Sequence, residues 1–248
     1  MMKIQDYIDS TYLKLPEQAG LSQEETWQKV LDLADEADAE NFYAVMIRPN
    51  FVRPVKEYLA KKDSRVKVGT VIGFHEGTAT VGEKLAEARQ AIDDGADDLD
   101  FVINFEAFKN GQINFVRDEV LQCTKLGIEN GKTVKWIIEI AALREAQIAD
   151  ITNLIREVAE ANFTADEQEH IFVKSSTGFY KTENRKPNGA TVGGIKIMKE
   201  NAGPLKLKAA GGVRSRKEAE EMIKLGVTRI GTSSAAAICK DLGSASGY

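Results

Sequence analysis

The chain predicts a (β/α)8 barrel, and three observations carry that expectation. Apolar, strand-like runs alternate with amphipathic, helix-like stretches along the whole length, and eight such runs can be picked out. Several are rich in Val and Ile and continuous rather than alternating, as strands covered on both faces of a parallel sheet require. A length of 248 residues suits one barrel of this type. An open, doubly wound sheet is the competing arrangement of the same units.

In order, the strand-like runs cover 8–13, 42–47, 66–72, 99–104, 134–140, 171–175, 205–209 and 227–231. The first is the least distinctive, because 7–13 also reads as helix. Between the runs lie usable helix signals. Ser22-Gln23-Glu24-Glu25 and Ser215-Arg216-Lys217-Glu218 fit a capping box, in which serine and glutamate satisfy the free amides of a helix start. Gly95 and Gly226 stand where helices should stop, just ahead of the fourth and eighth strands. No Pro/Ser-rich linker or charge block divides the chain, so residues 1–248 are expected to form a single domain. The polar, turn-rich segment 180–189 reads as a mobile loop after the sixth strand.

Composition narrows the function classes. The chain is 29% charged and 43% hydrophobic, with a formal net charge of -5. That balance argues against general nucleic-acid binding, which favours clustered positive charge. The start of the chain lacks a signal-peptide pattern and no run approaches a membrane span, so a cytoplasmic protein without membrane partners is expected. Cys123 and Cys239 are far apart, lack metal-type spacing, and read as buried thiols. His75 and His170 are the only histidines and do not cluster, which disfavours a zinc site built on histidine; no metal is expected. Neither a Gly-x-Ser-x-Gly elbow nor a Gly-x-Gly-x-x-Gly fingerprint is present, and the chain offers no Walker pattern. His75 reads as a plain loop histidine.

Lysines in apolar runs are the chemical signal. Lys174 lies in Ile171-Phe172-Val173-Lys174-Ser175-Ser176-Thr177-Gly178, and Lys208 in Leu205-Lys206-Leu207-Lys208-Ala209-Ala210-Gly211-Gly212. A buried ammonium must pair with a carboxylate or move toward its neutral, nucleophilic form, and a second cation nearby pushes it further that way. A neutral amine can form a Schiff base with a carbonyl. Asp100 also falls near a strand end, and alternation places Asp100 and Val102 on one side with Leu99 and Phe101 on the other. In a barrel, Asp100, Lys174 and Lys208 would meet at the C-terminal face. A structural ion pair plus one solvent-facing lysine is the bland alternative. Pattern alone does not choose between Lys206 and Lys208, which share a face, and Lys135 is a further embedded lysine suited to support. Gly211-Gly212 after the seventh strand and Gly231-Thr232-Ser233-Ser234 after the eighth suggest an anion cradle of free amides at a helix start, although Ser233 and Ser234 also suit a plain N-cap.

Taken together, Val-Lys-Ser-Ser-Thr-Gly (173–178), Lys-Ala-Ala-Gly-Gly-Val-Arg (208–214), Gly-Ala-Asp-Asp-Leu-Asp (95–100) and Gly-Thr-Val-Ile-Gly-Phe (69–74) resemble the deoxyribose-phosphate aldolase family. The resemblance runs from Ile8-Asp9-Ser10-Thr11 to the terminal Ser-Gly-Tyr. It implies a class I aldolase without metal or cofactor that interconverts 2-deoxy-D-ribose 5-phosphate with D-glyceraldehyde 3-phosphate and acetaldehyde. By position it implies that Lys174 is the Schiff-base lysine, that Lys208 lowers its proton affinity, and that Asp100 relays protons with Lys208 and a water. It implies phosphate or substrate contacts at Asp9, Thr11, Thr177, Gly178, Gly211, Gly212, Ser233 and Ser234. Tyr248 matches a mobile C-terminal tyrosine that assists proton exchange. Partners are then small phosphorylated sugars and aldehydes, with homodimer and homotetramer both open. The chain departs from the family pattern at Ser10, where a histidine is common. It also departs at Met46, where some members carry a reactive cysteine, and at Phe179, where some carry lysine. The stretch after Gly178 is longer and more basic than the family pattern, with Lys181, Arg185 and Lys186.

Overall fold

A computed structural model describes residues 3–183 and 186–241. Eight parallel strands close into a barrel in sequence order: β1 (Ile8–Thr11), β2 (Ala44–Ile47), β3 (Lys67–Ile72), β4 (Asp98–Val102), β5 (Thr133–Ile137), β6 (Ile171–Lys174), β7 (Lys206–Ala210) and β8 (Arg229–Thr232). The register Ile8↔Ile230 and Asp9↔Gly231 joins β1 to β8, which rules out the open sheet. The ambiguous first run is therefore a strand, held on both sides by β2 and β8. Each strand is followed by a main helix: α1 (Gln23–Glu40), α2 (Val52–Ala60), α3 (Val81–Asp93), α4 (Ile113–Glu129), α5 (Glu145–Asn162), α6 (Val192–Asn201), α7 (Arg216–Lys224) and α8 (Ala235–Lys240). Every expected strand is present, with its ends shifted by one to a few residues.

Local chemistry explains the boundaries. Ser22 Oγ accepts from the Glu25 amide while the Glu25 carboxylate accepts from the Ser22 amide, closing the capping box of α1. Thr80–Glu83 and Ser215–Glu218 do the same for α3 and α7. After α3 the chain leaves through Gly95 at φ +94°, a turn that suits a residue without Cβ, and the Ala96 amide bonds back to Ala91.

Strand alternation divides the core in two. Leu99, Phe101 and Trp136 are fully buried; Phe101 and Trp136 stack at 5.2 Å, and Trp136 Nε1 donates to Thr124 of α4. The helix approaches β5 so closely there that a Cβ on Gly127 would sit 2.3 Å from the Val134 side chain. The residues between them, Asp98, Asp100 and Lys135, form an ionic interior. Cys123 is buried as expected, and burial pushes its thiol up to about 12. Cys239 is only half-buried, because it lies near the end of the short α8. None of the described helices is long and apolar enough to cross a membrane.

A second buried ion pair fastens the C-terminal ends of β3 and β4. Lys84 of α3 donates to Glu119 of α4 at 2.5 Å, and to the carbonyls of Gly77 and Val102 at 2.7 Å each. The other Glu119 oxygen accepts from the Asn104 amide at 2.9 Å. All three ammonium hydrogens are thus satisfied in a site closed to solvent. Removing one partner strands a buried charge, which costs about 3–5 kcal/mol. Lys84→Met should therefore lower the melting temperature by roughly 10 °C in this size class. The double variant Lys84→Met/Glu119→Leu should recover much of that loss, both read by thermal denaturation.

Candidate active site

Six ionisable side chains from five strands meet at the barrel axis. Asp100 of β4 is fully buried and accepts from three ammonium groups: Lys135 of β5 at 2.9 Å, Lys174 of β6 at 2.8 Å and Lys208 of β7 at 2.9 Å. Asp98, two residues earlier on the same face of β4, accepts from Lys135 at 2.6 Å. Asp9 of β1 lies 2.6 Å from Lys208 and 3.9 Å from Lys135. Three lysines thus face three aspartates, a formal balance that lets so many charges leave water together.

The lysines differ in how many carboxylates they meet. Among the described residues Lys135 contacts three, Lys208 two and Lys174 one. Lys135 is desolvated, but its aspartates outweigh that and hold it firmly protonated. Lys174 has only Asp100 to offset its burial. Desolvation, with the Lys208 and Lys135 cations beside it, brings its ammonium down to about 8. Asp100 is also desolvated, yet its three cationic neighbours hold its carboxyl well below the usual carboxylate range. The result is an amine of lowered proton affinity next to a carboxylate ionised in the resting site, as nucleophilic catalysis on a carbonyl requires.

Above Lys174 opens a cavity whose lining includes Thr11, Thr177, Gly178, Phe179, Gly211, Gly212 and Ser233. Gly178, Gly211 and Gly212 all have φ between +75° and +81°, so their backbones turn where a Cβ would be strained. The loops after β6 and β7 touch through glycine: a Cβ on Gly189 would lie 2.3 Å from the Gly211 carbonyl carbon. The Ala190 amide donates to both Ala210 and Gly211 carbonyls. Phe179 of the cavity wall stacks against His75 at 5.6 Å and meets Phe74 edge-on at 5.1 Å, and His75 lies in the loop after β3.

The residues singled out in the sequence fall into three groups. Asp100, Lys174 and Lys208 are brought together. Thr11, Thr177, Gly178, Gly211, Gly212 and Ser233 line the cavity. Asp9 lies with Lys208 inside the barrel and is fully buried, and Ser234 is buried with its amide donating to Thr232 Oγ1. Tyr248 and Arg185 lie outside the described residues. Lys206 is distinguished from Lys208 by position: it begins β7, is partly exposed, and pairs with Glu169 at 2.8 Å. Met46 is buried in β2. Sequence reasoning missed Asp98 and Glu139. Asp98 carried a readable signal, its alternation with Asp100. Glu139 carried only its place in an apolar run; it is buried in left-handed backbone, accepts from Thr177, and burial raises its carboxyl to about 7.

The chain resembles known proteins over nearly its whole length. The family model for DeoC/LacD family aldolases matches residues 7–247. The chain is 40% identical over 234 residues to a deoxyribose-phosphate aldolase of Thermococcus gammatolerans, covering 94% of this chain and 93% of that one. It is 37% identical over the full length of both chains to deoxyribose-phosphate aldolase 1 of Staphylococcus aureus. A tetrameric deoxyribose phosphate aldolase structure from Aeropyrum pernix superposes with a TM-score of 0.76 at 28% identity, covering 96% of this chain and 90% of that one.

The charge arrangement sets a pH dependence. Lys174 should be half-neutral near pH 8, read by the pH profile of its reductive methylation after peptide mapping. Lys208→Met removes a neighbouring cation, so the midpoint should rise by about one unit, leaving roughly tenfold less neutral amine at pH 7. An unmoved midpoint would show that Lys208 does not tune Lys174.

Proposed function

The chain belongs to the DeoC/LacD family of aldolases, and we propose that it reversibly cleaves 2-deoxy-D-ribose 5-phosphate to D-glyceraldehyde 3-phosphate and acetaldehyde through a Schiff base on Lys174. The observation that carries this reading is the Asp100 carboxylate bridging Lys174 and Lys208 beneath a glycine-lined cavity. In this reading the neutral Lys174 amine adds to the C1 aldehyde of the open-chain sugar, and loss of water gives the imine. The protonated imine accepts electrons as the C3 hydroxyl gives up its proton and the C2–C3 bond breaks. D-Glyceraldehyde 3-phosphate leaves, and the remaining two carbons stay on Lys174 as an enamine. Protonation at C2 and hydrolysis release acetaldehyde and restore the amine.

In this reading Asp100 relays protons with Lys208 and a water between these steps, which is supported by its hydrogen bonds to Lys208 and Lys174. The phosphate is assigned to the loops after β6, β7 and β8, at Thr177, Gly178, Gly211, Gly212 and Ser233, where glycine turns line the cavity. Ser234, beside Ser233, is assigned to the same phosphate edge, Asp9 and Thr11 border the substrate's other side, and Tyr248 assists proton exchange at the enamine carbon. The reaction needs no metal or cofactor and belongs to deoxyribonucleotide breakdown in the cytoplasm. Assembly as a homodimer or homotetramer is proposed by analogy with the tetrameric relative.

Borohydride trapping with 2-deoxyribose 5-phosphate should place a reduced adduct on Lys174, read by intact mass and peptide mapping. An adduct on Lys208 instead would reverse the two lysine roles. Lys174→Leu should lower turnover by at least about 10³-fold, since it removes the nucleophile itself. EDTA should leave activity unchanged; a loss restored by added divalent metal would overturn the imine mechanism.

A further inference from the structure

Glu139 is a buried acid that the proposed reaction does not use. It follows β5 and interrupts an otherwise regular pairing: the amides of Ile138 and Ile140 on either side donate to the Lys174 and Ser175 carbonyls at 3.0 and 2.9 Å. Between them Glu139 takes φ 54° and ψ 67°, a conformation that residues with a Cβ seldom adopt. The twist turns its side chain toward the segment after β6. One carboxylate oxygen accepts from the Thr177 amide at 3.1 Å and from the Thr177 hydroxyl. That hydroxyl in turn accepts from the Phe179 amide at 3.0 Å. The chain of bonds therefore runs Phe179 amide, Thr177 hydroxyl, Glu139 carboxylate, and ends on an acceptor that cannot donate while ionised. Its other oxygen is buried without a partner among the described residues. Thr177, Gly178 and Phe179 are cavity wall. Lys174 is the charged group that faces Glu139, yet its ion pair is with Asp100.

We propose that Glu139 is a positioning residue for the phosphate side of the cavity, fixing the Thr177–Phe179 backbone through Thr177 and acting on binding of the phosphorylated end rather than on the amine. The inference rests on the phosphosugar reading above. Above about pH 7, where the Glu139 carboxyl is mostly ionised, a carboxylate terminus suits the task, because a hydrogen bond to a charged acceptor is stronger than one to a neutral group and sets the direction of the whole chain. The left-handed backbone is what lets an acid at the end of β5 reach a residue at the end of β6.

Two variants test it together with Thr177→Val. Glu139→Gln keeps the volume and removes the charge. Glu139→Gly removes the side chain and accommodates the positive φ. Inorganic phosphate binding is measured by calorimetry, and steady-state kinetics are compared on 2-deoxyribose 5-phosphate and unphosphorylated 2-deoxyribose. Circular dichroism and melting first verify folding. The expected result is a roughly tenfold rise in the phosphate Kd and in KM for the phosphosugar, the size of a charge-assisted bond lost. For the two Glu139 variants the kcat, and kcat/KM for 2-deoxyribose, should stay within about twofold. The variant combining Glu139→Gln and Thr177→Val should be no worse than either alone, as expected of residues acting in one chain. Unchanged phosphate binding, or an equal loss with both sugars, would overturn the proposal. A wild-type protein that binds phosphate but does not cleave 2-deoxyribose 5-phosphate would defeat the functional reading alone, with the phosphate titration still deciding the role of Glu139. A wild-type protein that binds no phosphate would overturn the inference.

Discussion

The site depends on one carboxylate shared by three ammonium groups. Asp100 lies within 2.9 Å of Lys135, Lys174 and Lys208, and none of the four is exposed by more than a few percent. Without Asp100 the three cations would repel one another inside a low-dielectric barrel, where a buried charge lacking a counterion is costly. Because the anion is shared, its stabilisation is divided unequally. Lys135 and Lys208 have Asp98 and Asp9 in reserve; Lys174, at the open end, has only its share of Asp100. A lone neighbour is enough to orient the amine and too little to keep it fully protonated near neutral pH.

The barrel makes that inequality a matter of depth. Interior side chains of successive strands stack in layers, so a lysine low in the barrel is surrounded by carboxylates from β1 and β4, whereas Lys174 ends β6 and meets the cavity. The outer layer supplies stiffness. Trp136 and Phe101 stack beneath α4, and Lys84 and Glu119 tie the ends of β3 and β4 to two helices. A rigid wall on that side leaves the glycine-rich loops after β6 and β7 to shape the opening. Their mutual approach at Gly189 and Gly211 tolerates no added Cβ.

Much of this was legible in the residue string. Eight strands were readable because a doubly covered parallel strand must be apolar throughout, and even the doubtful first run paired as one. Lys174, Lys208 and Asp100 stood out because a charge inside an apolar run demands a partner. Asp98 is readable by the same alternation, two residues before Asp100 on one face of β4. The ambiguity between Lys206 and Lys208 had no local solution: both share a face, and only their heights in the barrel separate a surface pair with Glu169 from a central one with Asp100. Ser233 and Ser234 suited either an anion cradle or a plain N-cap; Ser233 lines the cavity, while Ser234 is buried with its amide held by Thr232 Oγ1.

By itself the sequence determined the alternation of strands and helices, the capped helix starts, the glycine turns and the presence of embedded lysines with an aspartate to balance them. Those features are local: they follow from side-chain periodicity, capping chemistry and the cost of burying charge. Tertiary structure decided which charges meet and in what proportion. Asp100 finds Lys174 across 74 residues of chain and Lys208 across 108, distances at which no spacing rule operates. Glu139 reaches Thr177 only because its backbone turns left-handed between two strands already paired. The proton affinity of Lys174 belongs to the same category, for it is set by how many carboxylates closure of the barrel brings to each lysine.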